Sequence, residues 1–150
     1  MSQFKIQKAD GGNTKQTVDH VSPPDIVDRT FEFAVRIVKL GVKLDEHPGV
    51  GRVLMPQIIR AGTAIGSQVE EAQAAESTAD FISKLSIGLK ESRETHYRLH
   101  VLAAAEIVAG SDLPRLVQEA DEIKRIIATI IVNTRRNNRL PPTLANRRRF

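Results

Sequence analysis

Two imidazoles four residues apart, in His96-Tyr-Arg-Leu-His100, are the residues of this 150-residue chain best spaced for metal chemistry. On a helix, i and i+4 share a face, and zinc enzymes use that spacing. The neighbouring residue types argue against such a site. Tyr97 stands where the metalloprotease pattern needs a glutamate base, and no third ligand is linked to the pair by spacing. Di-iron bundles require Glu-x-x-His on two helices, whereas Arg93 and Tyr97 occupy the positions three before His96 and His100. Both histidines are therefore expected to be polar seam or surface residues, with no metal ligated and no cofactor. Gly62, Gly66 and Gly88 lack the preceding strand and the Gly-Lys-Ser order of a phosphate-binding loop, so close helix packing explains them better. With no cysteine present, disulfides, thiolate metal sites and thiol catalysis are all removed. The expectation is a protein without catalytic residues.

The charge balance is misleading at first sight. The chain has 22 Lys plus Arg against 18 Asp plus Glu, a net +4, which suggests an anionic partner. Six of those cations are Arg135, Arg136, Arg139, Arg147, Arg148 and Arg149, with no acid among them. The first 134 residues thus carry 22 − 6 = 16 bases against 18 acids, or −2. Contact with RNA or DNA is expected to rest on this arginine cluster, because the forked guanidinium suits phosphates. The cluster contains Phe150 but no interleaved aromatics, so sequence-specific readout is not expected.

The elements that must position these groups are legible as periodicity. Residues 1–22 are polar and glycine-bearing and are expected to form a flexible N-terminal tail. Pro23 and Pro24 open a helix over about residues 24–46, with Asp25 and Asp28 at its positive end. Its inner stripe is Ile26, Thr30, Phe33, Ile37, Leu40 or Gly41, and Leu44, and a second stripe runs Val27, Phe31, Val35, Val38 and Val42. His47-Pro-Gly-Val-Gly51 breaks the chain. A second helix over about 52–75 follows on Leu54, Ile58, Ala61, Ile65, Val69 and Ala72, with Pro56 in its first turn or kinking it.

Ser77 and Asp80 resemble a capping box for a third helix over about 78–108. Its inner face is polar in the middle, where Ser92 and Thr95 fall. Gly110, Ser111 and Asp112 end it, and a fourth helix over about 113–134 runs on Leu116, Ala120, Ile123, Ile127 and Ile130, with Val117, Ile126 and Ile131 alongside. Four such helices with short loops predict an all-α, up-down-up-down four-helix bundle over residues 23–136, followed by a basic tail over 137–150. Arg60 on helix two with Lys84, Glu91, Glu94 and Arg98 on helix three is expected as a structural polar layer, inside the bundle or at its edge, fixing register and oligomer state. The surplus apolar stripes on helices one and four predict a homo-oligomer. No segment reaches the roughly 20 apolar residues of a membrane span, so a cytoplasmic protein with no membrane partner is expected.

Three blocks resemble a known bacterial family. They are Phe31-Glu-Phe-Ala-Val-Arg-Ile-Val-Lys-Leu40, Gln57-Ile-Ile-Arg60-Ala-Gly-Thr-Ala-Ile-Gly-Ser67, and Glu70-Glu-Ala-Gln-Ala-Ala-Glu-Ser77 continued by Asp80-Phe-Ile-Ser-Lys84-Leu-Ser-Ile-Gly-Leu-Lys90-Glu-Ser-Arg-Glu94-Thr-His-Tyr97. In this order they resemble the intervening-sequence proteins associated with insertions in the large ribosomal RNA gene. The resemblance implies a four-helix bundle assembled into a ring, typically a pentamer, without established catalysis and with a role in binding RNA or DNA. It also implies fold-level similarity to the accessory protein of diversity-generating retroelements, which serves a reverse transcriptase. Two functions follow as expectations: nucleic-acid or nucleoprotein binding through repeated basic tails, or an adaptor that binds a partner protein through the outer apolar stripes.

Overall fold

Where apolar residues recur every three or four positions, winding the chain into a helix gathers them on one side, and packing those sides together removes them from water. The computed structural model describes residues 25–47, 49–110 and 112–138 and shows this outcome four times. The helices are α1 (Ile26–Asp45), α2 (Val50–Gln73), α3 (Thr78–Ala104) and α4 (Leu113–Asn138), and no strand occurs among the described residues. Each helix packs on the next, and α4 returns against α1 to close the bundle. The expected N-terminal tail over 1–22 and the tail arginines Arg139, Arg147, Arg148 and Arg149 lie outside the described residues.

The core is built from the predicted seams. Phe33, Ile37, Leu40 and Leu44 of α1 meet Ile58, Ile65 and Val69 of α2, Leu85, Leu99 and Leu102 of α3, and Leu116, Ile123 and Ile127 of α4. The last buried position of α4 is Ile131, not the expected Ile130, which is half-buried. Val117 and Ile126 are half-buried as well, so the second stripe expected on α4 is mostly absorbed into the bundle. The stripe on α1 is not: Phe31 is 66% exposed and Val42 65%, with Val35 and Val38 exposed between them.

Three boundaries differ from the sequence expectation for physical reasons. Helix α2 begins two residues early and holds Gly51 inside its first turn against α1, which leaves Pro56 in the helix interior and excludes the first-turn alternative. Helix α3 stops at Ala104 rather than near residue 108, and Glu106 takes a left-handed backbone (φ 53°). Ile107 and Val108 still pack on the core, so the apolar pattern continues although the helix has ended. Helix α4 extends to Asn138, past the last apolar position, with Arg135 and Arg136 in its final turn, where the negative end of the helix dipole favours cations.

Helix α3 starts as its sequence suggests. The Ser77 hydroxyl accepts a hydrogen bond from the Asp80 backbone N–H (3.1 Å), and the Asp80 carboxylate accepts one from Glu76 N–H (3.4 Å), one residue before the position a strict capping box would use. The polar centre of the α3 seam is satisfied within its own helix. Ser92 donates to the Leu89 carbonyl and Thr95 to that of Glu91, both at 2.8 Å, and buried Thr30 on α1 donates to Ile26 at 2.8 Å. What lies buried at this level is therefore hydroxyl groups, and the charges lie further out.

Candidate nucleic-acid interface and charged seams

Of the five residues expected to form one polar layer, the fold brings four together at the outer edge of the α2–α3 groove. Arg60 donates to Glu94 (2.5 Å) and to Glu91 (3.2 Å), and Arg98 donates to the same Glu94 oxygen (2.9 Å) and to the side-chain oxygen of Gln57. Glu94 is thus shared by two guanidiniums on facing helices. Burial pushes its carboxyl up, but the hydrogen bonds and charges of Arg98 and Arg60 outweigh this and hold it below the ordinary glutamate value. Lys84 is not part of the cluster; it pairs with Glu71 (2.9 Å), near the start of α3 and the end of α2. The register of the two helices explains the split, because antiparallel neighbours bring Arg60 opposite residues 91 and 94 while Lys84 falls opposite residue 71.

Other ties were hidden from sequence reasoning because their partners lie far apart in the chain. Arg29 reaches from α1 to Glu119 (2.6 Å) and Glu122 on α4, and Arg36 reaches Asp112 (2.5 Å). The hydrogen bond to Glu119, then burial acting against it and the bond to Glu122, leave the Arg29 pKa above its ordinary value. The same guanidinium lowers the Glu122 carboxyl. These pairs fasten the seam between the first and last helices.

The two histidines lie on the opposite flank of α3, where it meets α4. Their ring centroids are 6.1 Å apart, and His96 Nε2 stands 4.0 Å from the Asp121 carboxylate, which also binds Lys124 (2.6 Å) and Arg125 (2.5 Å). Burial, and then the charge of Lys124, lower the His96 pKa, with Asp121 opposing and His100 and Arg125 adding to the effect. Asp121 is held below the ordinary aspartate value, first by its hydrogen bond from Lys124. The carboxylate is thus engaged by cations, and among the described residues no group of three His, Cys, Asp or Glu stands ready for a metal. Leu89, Arg93, His96, Lys124, Arg125 and Ala128 line a shallow groove here. The sequence carried a trace of it in the Lys124-Arg125 pair, after which no acid occurs in the chain.

Arg135 and Arg136, the first two of the expected arginine cluster and just past the expected end of the fourth helix near residue 134, are on the last turn of α4 and exposed. Arg136 donates to the Asn133 side chain (3.2 Å), while Arg135 makes no ion pair among the described residues. No described helix is long and apolar enough to cross a membrane.

A packed bundle whose outer surface carries a shared-carboxylate seam, an exposed apolar stripe and a basic helix end belongs to the class of all-α four-helix bundles. Residues 24–129 match the model of the 23S rRNA-intervening sequence protein family, and the chain belongs to that family. The matched span contains Arg60, Lys84, Glu91, Glu94 and Arg98 and stops before the six C-terminal arginines. A crystal structure of a protein of unknown function from the S23 ribosomal protein family of Bacteroides thetaiotaomicron is similar to this chain at 38% identity. It has a TM-score of 0.65 and covers 71% of this chain and 98% of that one. No curated protein matches the chain.

Proposed function

We propose that the protein is a non-catalytic, homo-oligomeric bundle that binds nucleic acid or a nucleoprotein partner through clustered basic residues. The observation that carries this reading is the one-sided charge of the C-terminal part. After Glu122 the chain contains Lys124, Arg125, Arg135, Arg136, Arg139, Arg147, Arg148 and Arg149 and no acid. Phosphate contacts made by such groups release condensed counterions and give affinity without base selectivity. A ring of several copies, for which a pentamer is the family expectation, would repeat the cluster around one body and turn weak contacts into avidity.

The test is a salt titration of RNA and DNA binding by the full chain and by a version lacking residues 135–150. Binding at low salt that weakens steeply with ionic strength, and that falls at least tenfold on the deletion, supports the reading. Absence of binding by the full chain at low salt refutes it.

A second reading has its own observation. Phe31, Val35, Val38 and Val42 form a continuous exposed stripe on α1, and isolated exposed apolar residues are ordinary whereas an aligned row is not. That row suits a partner protein if it is not already covered by another copy of the chain, and an adaptor role then replaces the nucleic-acid role.

A further inference from the structure

Within the reading of the protein as a nucleic-acid binder, we infer that the groove between α3 and α4 is the docking surface on the folded body, and that its ligand is a single strand rather than a duplex. The inference rests on that reading, but its groove residues, Arg93, Lys124 and Arg125, lie outside residues 135–150.

The groove is electropositive by composition. Its walls supply Arg93 from α3 and Lys124 and Arg125 from α4; among the described residues the acid paired with them is Asp121, while Glu122, on which the charge of Arg125 also acts, is held by Arg29. Arg93, Lys124 and Arg125 against Asp121 give three cations less one anion, or +2. Arg93 is exposed and makes no ion pair among the described residues. The Arg125 side chain is 76% exposed and holds Asp121 through one terminal nitrogen, Nη2, leaving its remaining N–H donors for an incoming oxygen. The floor is apolar, Leu89 and Ala128, so a phosphate entering the groove is drawn to the walls and not to a competing polar base.

The strip continues along the bundle. Helix α4 carries no acid from Lys124 to its end at Asn138, and the 136 − 124 = 12 residues from Lys124 to Arg136 span about 18 Å at 1.5 Å per residue. On the α3 side Lys90, Arg93, Tyr97 and His100 follow one another at spacings of three and four, which places them on one flank. The acids of α3 in this stretch, Glu91 and Glu94, are turned to Arg60 on α2. The groove and the α3 flank beside it therefore present hydrogen-bond donors for phosphate oxygens over several nucleotides without a carboxylate row beside them.

Strandedness is set by Tyr97. It is the only tyrosine in the chain, 69% exposed, one helical turn from Arg93 and between the two histidines. Tyr97 is not in the groove lining but stands on the outer flank of α3 one turn from Arg93, and an exposed ring there offers a stacking platform, which a base can use only when it is free of its duplex partner. A helix-paired strand would present the phosphates but leave the ring idle.

The experiment measures anisotropy of short labelled oligo(dT) and oligo(U) strands with the full-length protein at low salt. Arg93→Glu with Arg125→Glu is compared with Lys39→Glu with Lys43→Glu, an equal charge change at exposed positions on α1. The groove pair is expected to weaken binding about tenfold or more and to reduce the salt slope by about 1.4, from roughly 0.7 per lost single-strand contact. The α1 pair should weaken it less than about threefold, and unchanged helicity verifies the fold. Tyr97→Ala is expected to lower single-strand affinity several-fold and to leave duplex binding of the same sequence, weaker from the start, unaltered. Equal losses in the two charge pairs, or binding that falls on deleting residues 135–150 but not in the groove pair, overturn the groove while the proposed function stands. A duplex bound as tightly as the single strand, with Tyr97→Ala neutral, overturns the single-strand assignment. No binding by the wild-type chain removes both readings together.

Discussion

At Gly51 the backbone of α1 leaves no room for a side chain. A Cβ there would sit 2.1 Å from the Leu44 carbonyl oxygen, a group that the end of α1 holds in place. At Gly62 a Cβ would meet the branch of buried Ile37 at 2.8 and 2.9 Å, and a branched side chain in a packed core has no free rotamer to yield. Gly41 is different, since its Cβ would strike the mobile end of half-buried Ile59, at 2.6 Å. Gly51→Ala is therefore expected to cost about 1–3 kcal/mol, as overpacking does, and Gly41→Ala clearly less. Urea denaturation of the two variants checks the order, and an equal loss at both sites would show that the corner between α1 and α2 relaxes. The small-residue run in α2 was legible in the sequence as a place of close approach. Its partners were not, because they come from α1.

Between elements, the charged seams act as ties of limited strength that depend on pH. Exposed ion pairs in water contribute little individually because solvent screens them and ordering long side chains opposes them. The pair of guanidiniums sharing Glu94 has a readable consequence all the same. The folded Glu94 carboxyl titrates below its unfolded value, so its contribution is present above the ordinary glutamate range and is lost as pH falls through that range to the folded value. Among the described residues, Arg60 and Arg98 are the cations paired with it. Glu94→Gln is expected to leave a shallower loss of stability between about pH 5 and pH 3 than wild type shows, with little change at pH 7 beyond the lost pairs. Chemical denaturation midpoints across that range measure it. Parallel pH curves for the two proteins would mean that the shared carboxylate is not coupled to folding. Sequence reading grouped Lys84 with this seam because both fall on α3; the helical register separated them, and register is a property of two packed helices.

At the scale of the whole molecule, the decisive surface is the exposed stripe of Phe31, Val35, Val38 and Val42. Helix α1 already buries Phe33, Ile37, Leu40 and Leu44 in the core, so the outer row contributes nothing to the isolated bundle while exposing apolar area to water. Burial of the row between copies would relieve that cost, and the proposed assembly is expected to show a mass several times that of one chain in light scattering. Phe31→Glu with Val38→Glu should give a folded monomer, because both side chains lie outside the core. Retention of the assembled mass in this variant would place the contact on another face, such as the α2–α3 edge where Ile87 and Val101 are exposed.

The chain by itself determined the number of helices, their inner faces and the cap at Ser77, since each follows from spacing and residue chemistry within a few turns. It also carried the family resemblance, in blocks that lie within the matched span. The tertiary structure decided what needs two segments at once: that Arg60, Glu94 and Arg98 meet while Lys84 turns to Glu71, that α4 folds its second stripe inward while α1 leaves its own outside, and that Arg93 and Arg125 face one groove. Periodicity states which side of a helix is apolar. Only packing, which sets the rotation and register of each helix against its neighbours, determines which of the remaining side chains come together.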